Sequence, residues 1–409
     1  MNHSQGSWFK RYFSILSLGL GILGSANAEN YKTFFRVLSS PSSHVTNLGL
    51  EGTLTWNCPS NTECRIQRAR SLERGNWADY KIVNSSNQVN STQLRIPIPE
   101  SMVYIPGGTF LMGDLHEDDL TATNRVVYET PIHSVTLSPF YIDKYEVSNE
   151  KMSAVLAWAF KNGKVGIMRD TSYGGTGSMG VYSMENWGPE APIKLLEIED
   201  SGEPEDTRVC RSDLSFTGGE NPFPIRAGKE KKACVSITYR GAMFYCNFLT
   251  DIEGLRTRVY NPLTFEASTS ASGYRLPTEA EWEFAARAGT TNRYACGQTI
   301  DYSKANYYGN PLTQMERVKT TPVGSFPPNE FGLFDMTGNV AEWVQDNRVV
   351  YGKEELVDPE IISSNKMGVA RGGSCKSVPY YCRTSYRQGV SQYETRIDIG
   401  IRVACSKDF

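Results

Sequence analysis

Apolar and polar residues alternate early in this chain. Thr53-Leu54-Thr55-Trp56, Cys64-Arg65-Ile66-Gln67-Arg68 and Gln93-Leu94-Arg95-Ile96-Pro97-Ile98 each send every second side chain to one face, the period of a half-buried strand. Asn84 to Thr92, rich in Ser and Asn, reads as a turn or loop. The pattern predicts an all-β module of roughly 70 residues over 29–99, near the lower size limit for independent stability. It carries no catalytic constellation and reads as a spacer or a carbohydrate-facing accessory.

The pattern changes after residue 100. Met102 to Gly113 predicts two short strands around Gly107-Gly108, with further strands at His133–Leu137 and Phe140–Val147. Ser148-Asn149 then caps a predicted helix over 150–161, with Met152, Val155, Leu156 and Ala159 on one face. Residues 163–232 are mostly Gly, Pro, Ser and acidic, and predict long surface loops. A second helix is expected over 236–249, with Ala242, Tyr245, Cys246 and Leu249 inward. A third starts at Thr278, a good N-cap with Glu281 three residues on to close a capping box.

Composition narrows the class. With 409 residues, about two domains are expected. Hydrophobic residues make up 39% and charged ones 21%, a soluble globular balance. The net charge of −3 leaves no basic surplus for a phosphate backbone, so nucleic acid is not an expected partner. Lys10 and Arg11, the apolar stretch Tyr12 to Leu23 and Ala26-Asn27-Ala28 read as an export signal over 1–28, pointing to a secreted or periplasmic protein with no membrane span in the mature chain. In an oxidising compartment most of the nine cysteines should pair, with at least one left over. Cys58 and Cys64 flank a turn and suit a local bridge.

One run of motifs goes further. Tyr274-Arg-Leu-Pro-Thr-Glu-Ala-Glu-Trp-Glu-Phe-Ala-Ala-Arg287 is followed by Gly332-Leu-Phe-Asp-Met-Thr-Gly-Asn-Val-Ala-Glu-Trp343, Arg371-Gly-Gly-Ser374 and Gly400-Ile-Arg402. Ile105-Pro-Gly-Gly108 and Asp143-Lys-Tyr-Glu-Val147 precede them in the same order. Residues 100–409 resemble the formylglycine-generating enzyme (sulfatase-modifying factor) family. The resemblance implies a loop-rich α+β fold related to C-type lectins, with little regular secondary structure. It also implies an oxidoreductase that converts a cysteine of a client sulfatase to formylglycine, using copper on two thiolates, which suit a soft ion.

The same resemblance assigns candidate residues. Ser374 and Cys382 match the family's serine and second copper cysteine, but Ser377 stands where the first cysteine should be. A hydroxyl is a hard, weakly acidic donor and a poor substitute on Cu(I). Cys375 lies two residues away, about 7 Å along an extended chain. Two readings of Cys375 and Cys382 stand: disulfide bonding, to each other or elsewhere, and a thiolate copper site. The missing thiol weighs toward the first. Tyr381 and Asp398 match positions lining the family's substrate groove. For calcium, Asp335 and Glu342 match side-chain ligands and Gly338 and Val340 backbone ligands, with Asn306 in a second site. A helix N-terminus at Gly338-Asn339 is the competing reading. Arg371 and Arg402 are expected to tie loops together. Four scattered histidines, with no His-x-x-x-His pair, argue against a non-haem iron centre. Two functions remain: sulfatase modification, or a catalytically silent extracellular binding protein for protein or carbohydrate on the same fold.

Overall fold

The computed structural model describes residues 101–116, 128–170, 178–185, 193–198, 212–253, 257–268, 270–312, 319–361 and 365–406, together with the backbone of seven short strands between residues 21 and 93. The chain divides into two compact units, Met1–Ile98 with Thr250–Thr257, and Pro99–Leu249 with Arg258–Asp408.

In the first unit, β1 (Gly21–Leu23), β2 (Phe34–Leu38), β5 (Glu63–Ala69) and β6 (Ala78–Asn84) form one antiparallel sheet. β3 (His44–Leu48), β4 (Thr53–Asn57) and β7 (Val89–Gln93) form a second. Two of the three predicted strands fall where the alternation puts them. The third, past Gln93, lies outside the described residues; the segment expected to be a turn is corrected, since the ladder with β4 runs through Val89–Gln93, Thr53 pairing with Gln93 and Asn57 with Val89. β1 lies inside the segment read as an export signal; the rest of that segment, and the expected Cys58–Cys64 bridge, lie outside the described residues.

The second unit opens with β8 (Met102–Ile105), β9 (Gly108–Met112), β10 (His133–Leu137) and β11 (Phe140–Asp143). β8 and β9 do not pair with each other. β9 pairs with β10 and β8 with β11, each antiparallel, so Gly107-Gly108 carries the chain from one sheet to another. Gly107 has φ +72°, and a Cβ there would sit 2.4 Å from the Leu137 carbonyl oxygen, so only glycine fits. α1 (Asn149–Lys161) is capped by Ser148, whose hydroxyl accepts from the Lys151 N–H, and buries Met152, Val155, Leu156 and Ala159 as the periodicity predicts.

The expected loops of 163–232 are in part a sheet. β12 (Val165–Asp170), β13 (Ser178–Ser183) and β14 (Lys194–Ile198) pair antiparallel. α2 (Tyr239–Glu253) begins three residues later than predicted. Ser236 has φ +66°, outside the helical range, and Thr238 instead supplies the cap to the Gly241 N–H. α3 (Glu279–Arg287) carries the predicted capping box between Thr278 and Glu281 and is buried at all nine positions.

α3 packs on the sheet that positions the candidate site. Its order is β18 (Gln388–Ser391), β17 (Met367–Arg371), β15 (Ala341–Asn347), β19 (Ile399–Ile401). β15 is buried at every position and runs parallel to β19. Trp282, Val344, Val369 and Ile105 lie in the core between them. Two short strands, β16 (Leu356–Val357) and β20 (Ala404–Ser406), extend the β9–β10 and β8–β11 sheets. The alternative of a helix starting at Gly338-Asn339 is corrected: Gly338 and Asn339 have φ +78° and +58°, and the chain enters β15 instead. Arg371 and Arg402 tie loops as expected, Arg371 to the carbonyls of Thr384, Ser385 and Tyr386, and Arg402 to those of Asp143 and Phe334. Among the described residues no helix is long and apolar enough to cross a membrane.

Candidate functional site

β17 is followed by Gly372 and Gly373, both at positive φ, and the turn they make delivers Ser374 to the interior. The Ser374 N–H donates to Ser377 Oγ at 3.0 Å, and the two hydroxyls lie 3.2 Å apart. Ser374 Oγ donates to Asp398 Oδ2 at 3.1 Å, and Arg396 clamps both Asp398 oxygens. The result is a buried hydroxyl–hydroxyl–carboxylate chain. Ser377 is therefore bound into the loop through its side chain, not held out as a free group.

Cys382 closes a 3-10 turn, Pro379–Cys382. Its thiol reaches toward the Ser377 carbonyl oxygen, 3.9 Å away, and packs so close to Gly373 that a Cβ on that glycine would lie 2.8 Å from the sulfur. Burial pushes the Cys382 thiol up to about 12. Burial does the same to Cys375, also to about 12, with Asp398 as the next cause. Both are neutral thiols at physiological pH. Neither Cys375 nor Cys382 is in a disulfide, so the reading that bonds them to each other or elsewhere is not met among the described residues. The donor set does not fit the family's two-sulfur copper site, because position 377 offers a hydroxyl already engaged with Ser374.

An aromatic surface borders this loop. Tyr381 is half-buried, with ring centroids 4.8 Å from Tyr386 and 5.3 Å from Tyr380. The Tyr308 N–H donates to the Ser377 carbonyl at 3.0 Å, which sets the exposed Tyr308 beside it. Tyr302 and Tyr307 stack at 4.5 Å and 20°, and Tyr302 Oη donates to the Tyr308 carbonyl.

The calcium candidates form a separate acidic centre. Asp335, at φ +58°, accepts from the Gly324 N–H through Oδ2 while its buried Oδ1 has no partner. Glu342 is fully engaged: its oxygens take Arg402 Nε and Nη2 and the Trp282 indole N–H. Glu146, absent from the sequence candidates, is the third carboxylate, accepting from Asn339 Nδ2 and the Val340 N–H. Burial, then repulsion from Asp335 and Glu342, raise Glu146 well above the usual carboxylate range. Burial lifts Asp335 to about 6. Three buried carboxylates thus face one guanidinium, that of Arg402, and one Asp335 oxygen is left without a hydrogen bond. Among the described residues no cluster of three His, Cys, Asp or Glu side chains is arranged to hold a metal, so the carbonyls of Gly338 and Val340 would have to complete the shell.

Asn306 pairs with Gly338 in an isolated bridge, but its side chain is spent on an amide network. Its Nδ2 donates to the Lys319 carbonyl and Asn339, and its Oδ1 accepts from Asn310. The structure therefore brings Ser374, Cys375, Ser377, Tyr381, Cys382 and Asp398 into one corner, and Asp335, Glu342 and the Gly338–Val340 backbone into another. Sequence reasoning missed Glu146 and Cys296. Glu146 lies in the Asp143-Lys-Tyr-Glu-Val147 motif, whose buried acid had no local partner to flag it.

A loop-rich α+β domain with this corner of serines and thiols defines a class related to formylglycine-generating proteins. The family model "Sulfatase-modifying factor enzyme 1-like domain" matches residues 87–407, and the chain belongs to that family. It is 29% identical over 303 residues to a formylglycine-generating enzyme of Streptomyces coelicolor, covering 69% of this chain and 80% of that protein. It is 28% identical over 314 residues to the serine/threonine-protein kinase pkn1 of Chlamydia caviae, covering 75% of this chain. This chain spans only 38% of the length of that kinase relative. In structure it is similar to Treponema denticola variable protein 1, with TM-score 0.51 at 22% identity over 75% of this chain and 94% of that one, a likeness of fold alone.

Proposed function

We propose that this chain is an exported recognition protein that keeps the sulfatase-modifying-factor fold and does not oxidise cysteine through copper. The observation that carries the reading is Ser377: its hydroxyl stands at the position of a required thiol and is already hydrogen-bonded to Ser374. Carbohydrate is the proposed ligand class. Exposed and stacked tyrosine rings at 302, 307 and 308 offer apolar faces with polar rims, the chemistry that receives a sugar ring. Calcium is proposed as a structural ion held by the unpartnered Asp335 oxygen and the Gly338 and Val340 carbonyls, with Glu342 retained by Arg402 and Trp282 beside it. It would neutralise the acidic centre and fix the turn leading into β15.

A glycan array with the purified chain tests the ligand, with Tyr308→Ala as the control for the surface. The second reading, oxidation of a sulfatase cysteine, draws support from the convergence of Ser374, Cys382 and Asp398 in one corner. A Cys-x-Pro-x-Arg peptide incubated with protein, copper and oxygen separates the two. Aldehyde formation that disappears in Cys382→Ala would overturn the binding proposal; glycan hits without turnover support it.

A further inference from the structure

Cys296 lies outside every family motif quoted above, yet its place in the fold is tightly specified. It sits in the turn Tyr294–Gly297, closed by reciprocal hydrogen bonds of 3.0 Å between those two residues. Two contacts pin that turn against the Cys382 segment. The Thr384 N–H donates to the Arg293 carbonyl at 2.9 Å, and Thr384 Oγ1 reaches the Asn292 and Arg293 carbonyls at 3.3 Å. On its other side, Thr337 Oγ1 accepts from the Ala295 N–H at 3.1 Å and pairs with the Cys296 thiol. The next residue, Gly338, donates to the Gly372 carbonyl at 2.9 Å, one residue before the glycine that Cys382 packs against. Both cysteines therefore border the same small block of backbone.

Electrostatics agree with that placement. After burial, the strongest influence on the Cys382 thiol is Cys296, ahead of Cys375. Cys375 feels Asp398, Lys376, Glu146 and Lys319, a different set of neighbours. The two cysteines also differ in access. Cys382 is 1% exposed, whereas Cys296 is partly exposed and lines an open pocket with Lys304, Asn329 and Thr337. Burial raises the Cys296 thiol, and the Thr337 hydroxyl and the Lys304 ammonium offset part of that rise.

We propose that Cys296 and Cys382 are a thiol pair that closes to a disulfide by exchange with a small-molecule disulfide, making this corner a redox-modification site. The Cys296 thiolate attacks one sulfur of the reagent, forming a mixed disulfide and expelling the first thiolate, which takes up the proton Cys296 gave. Cys382, turning from the Ser377 carbonyl, then attacks the Cys296 sulfur. The mixed bond breaks and the second reagent thiol leaves. Two protein thiols are oxidised and one reagent disulfide is reduced to two thiols, so atoms and electrons balance. The bridge would lock the 294–297 turn to the 379–382 turn.

The test uses the full chain, reduced and then incubated with oxidised glutathione, quenched in acid and mapped by mass spectrometry. Expected are the loss of two titratable thiols, no retained glutathione, and a cross-linked peptide joining Cys296 to Cys382. In Cys382→Ser a glutathione adduct should persist on Cys296. In Cys296→Ser the cross-link should vanish and Cys382 should stay reduced. In Cys375→Ser the cross-link should remain. Should Cys382→Ser fail to fold, as far-UV circular dichroism would report, the half-exposed Cys296→Ser carries the test alone. A stable glutathione adduct on Cys296 of the unaltered chain, or a Cys375–Cys382 bridge in its place, would overturn the proposal. Neither result bears on glycan binding, so the two readings fail separately.

Discussion

Two buried polar regions of this domain solve different problems. Around α3, buried guanidiniums are paired with buried carboxylates. Arg387 takes both oxygens of Glu279, Arg371 pairs with Glu283, Arg287 with Glu283, and Arg383 with Glu129. These guanidiniums also donate to carbonyls that lie outside regular strands, so they take the place that a sheet ladder would have. In the corner of Ser374, Ser377, Cys375 and Cys382 almost nothing is charged: hydroxyls and neutral thiols face one carboxylate, Asp398. The first region resists change because any loss strands a buried charge. The second can change a donor atom, as it has at 377, without stranding one.

That contrast can be broken at its strong end first. Arg371→Ala should lower unfolding stability by about 3–5 kcal/mol, since Glu283 and three carbonyls lose a partner. Urea denaturation followed by circular dichroism measures it, and a cost below 1 kcal/mol would refute the matched-charge account. The acidic centre comes next. At calcium a hundredfold above its dissociation constant, stability should rise by about 2.7 kcal/mol. The gain should shrink as pH falls through about 6, where Asp335 takes up its proton, and should be largely lost in Asp335→Ala. Thermal melts with and without chelator, at pH 8 and pH 5, test this.

A smaller effect concerns Asp346. Burial, then Glu279, raise it to about 8, although it accepts from the Glu279 and Ile361 N–H groups. Between its unfolded and folded values the native state holds a proton that the unfolded chain has released. This group therefore makes stability fall as pH rises through that window, by up to about 1.4 kcal/mol per unit. Asp346→Asn should remove that part of the slope in urea titrations repeated from pH 5 to 8. Smallest of all, Ser377→Ala should cost about 1 kcal/mol, the net worth of its hydrogen bonds to Ser374, without altering the sheet. A cost as large as that of Arg371→Ala would show that the corner is not the tolerant region described.

Features fixed by local chemistry were legible in the sequence. The Thr278–Glu281 capping box, the four inward residues of α1 and the strands either side of Gly107-Gly108 needed only neighbours a few residues away. What escaped was set by distant partners. Val165–Asp170 became a strand because Ser178–Ser183 pairs with it, in a stretch whose composition reads as loop. The Asn339 backbone is left-handed because its side chain is held from elsewhere in the chain, which denied the helix its start. The candidate corner was legible as a list of residues, through the Arg371-Gly-Gly-Ser374 motif. Cys296, some 80 positions upstream, carries no motif and joins it only through folding.

Asn339 itself has a consequence for how this domain comes apart. Its side chain donates to Glu146 and accepts from Asn306 and from the N–H and hydroxyl of Thr321. Its backbone takes the Cys375 N–H and gives its own to the Asn306 carbonyl. Five stretches of chain, remote in sequence, are knotted at one amide. In native-state hydrogen exchange, the N–H groups of Thr321, Asn339, Val340 and Cys375 should therefore open as one cooperative unit, with a single free energy that Asn339→Ala lowers for all four together.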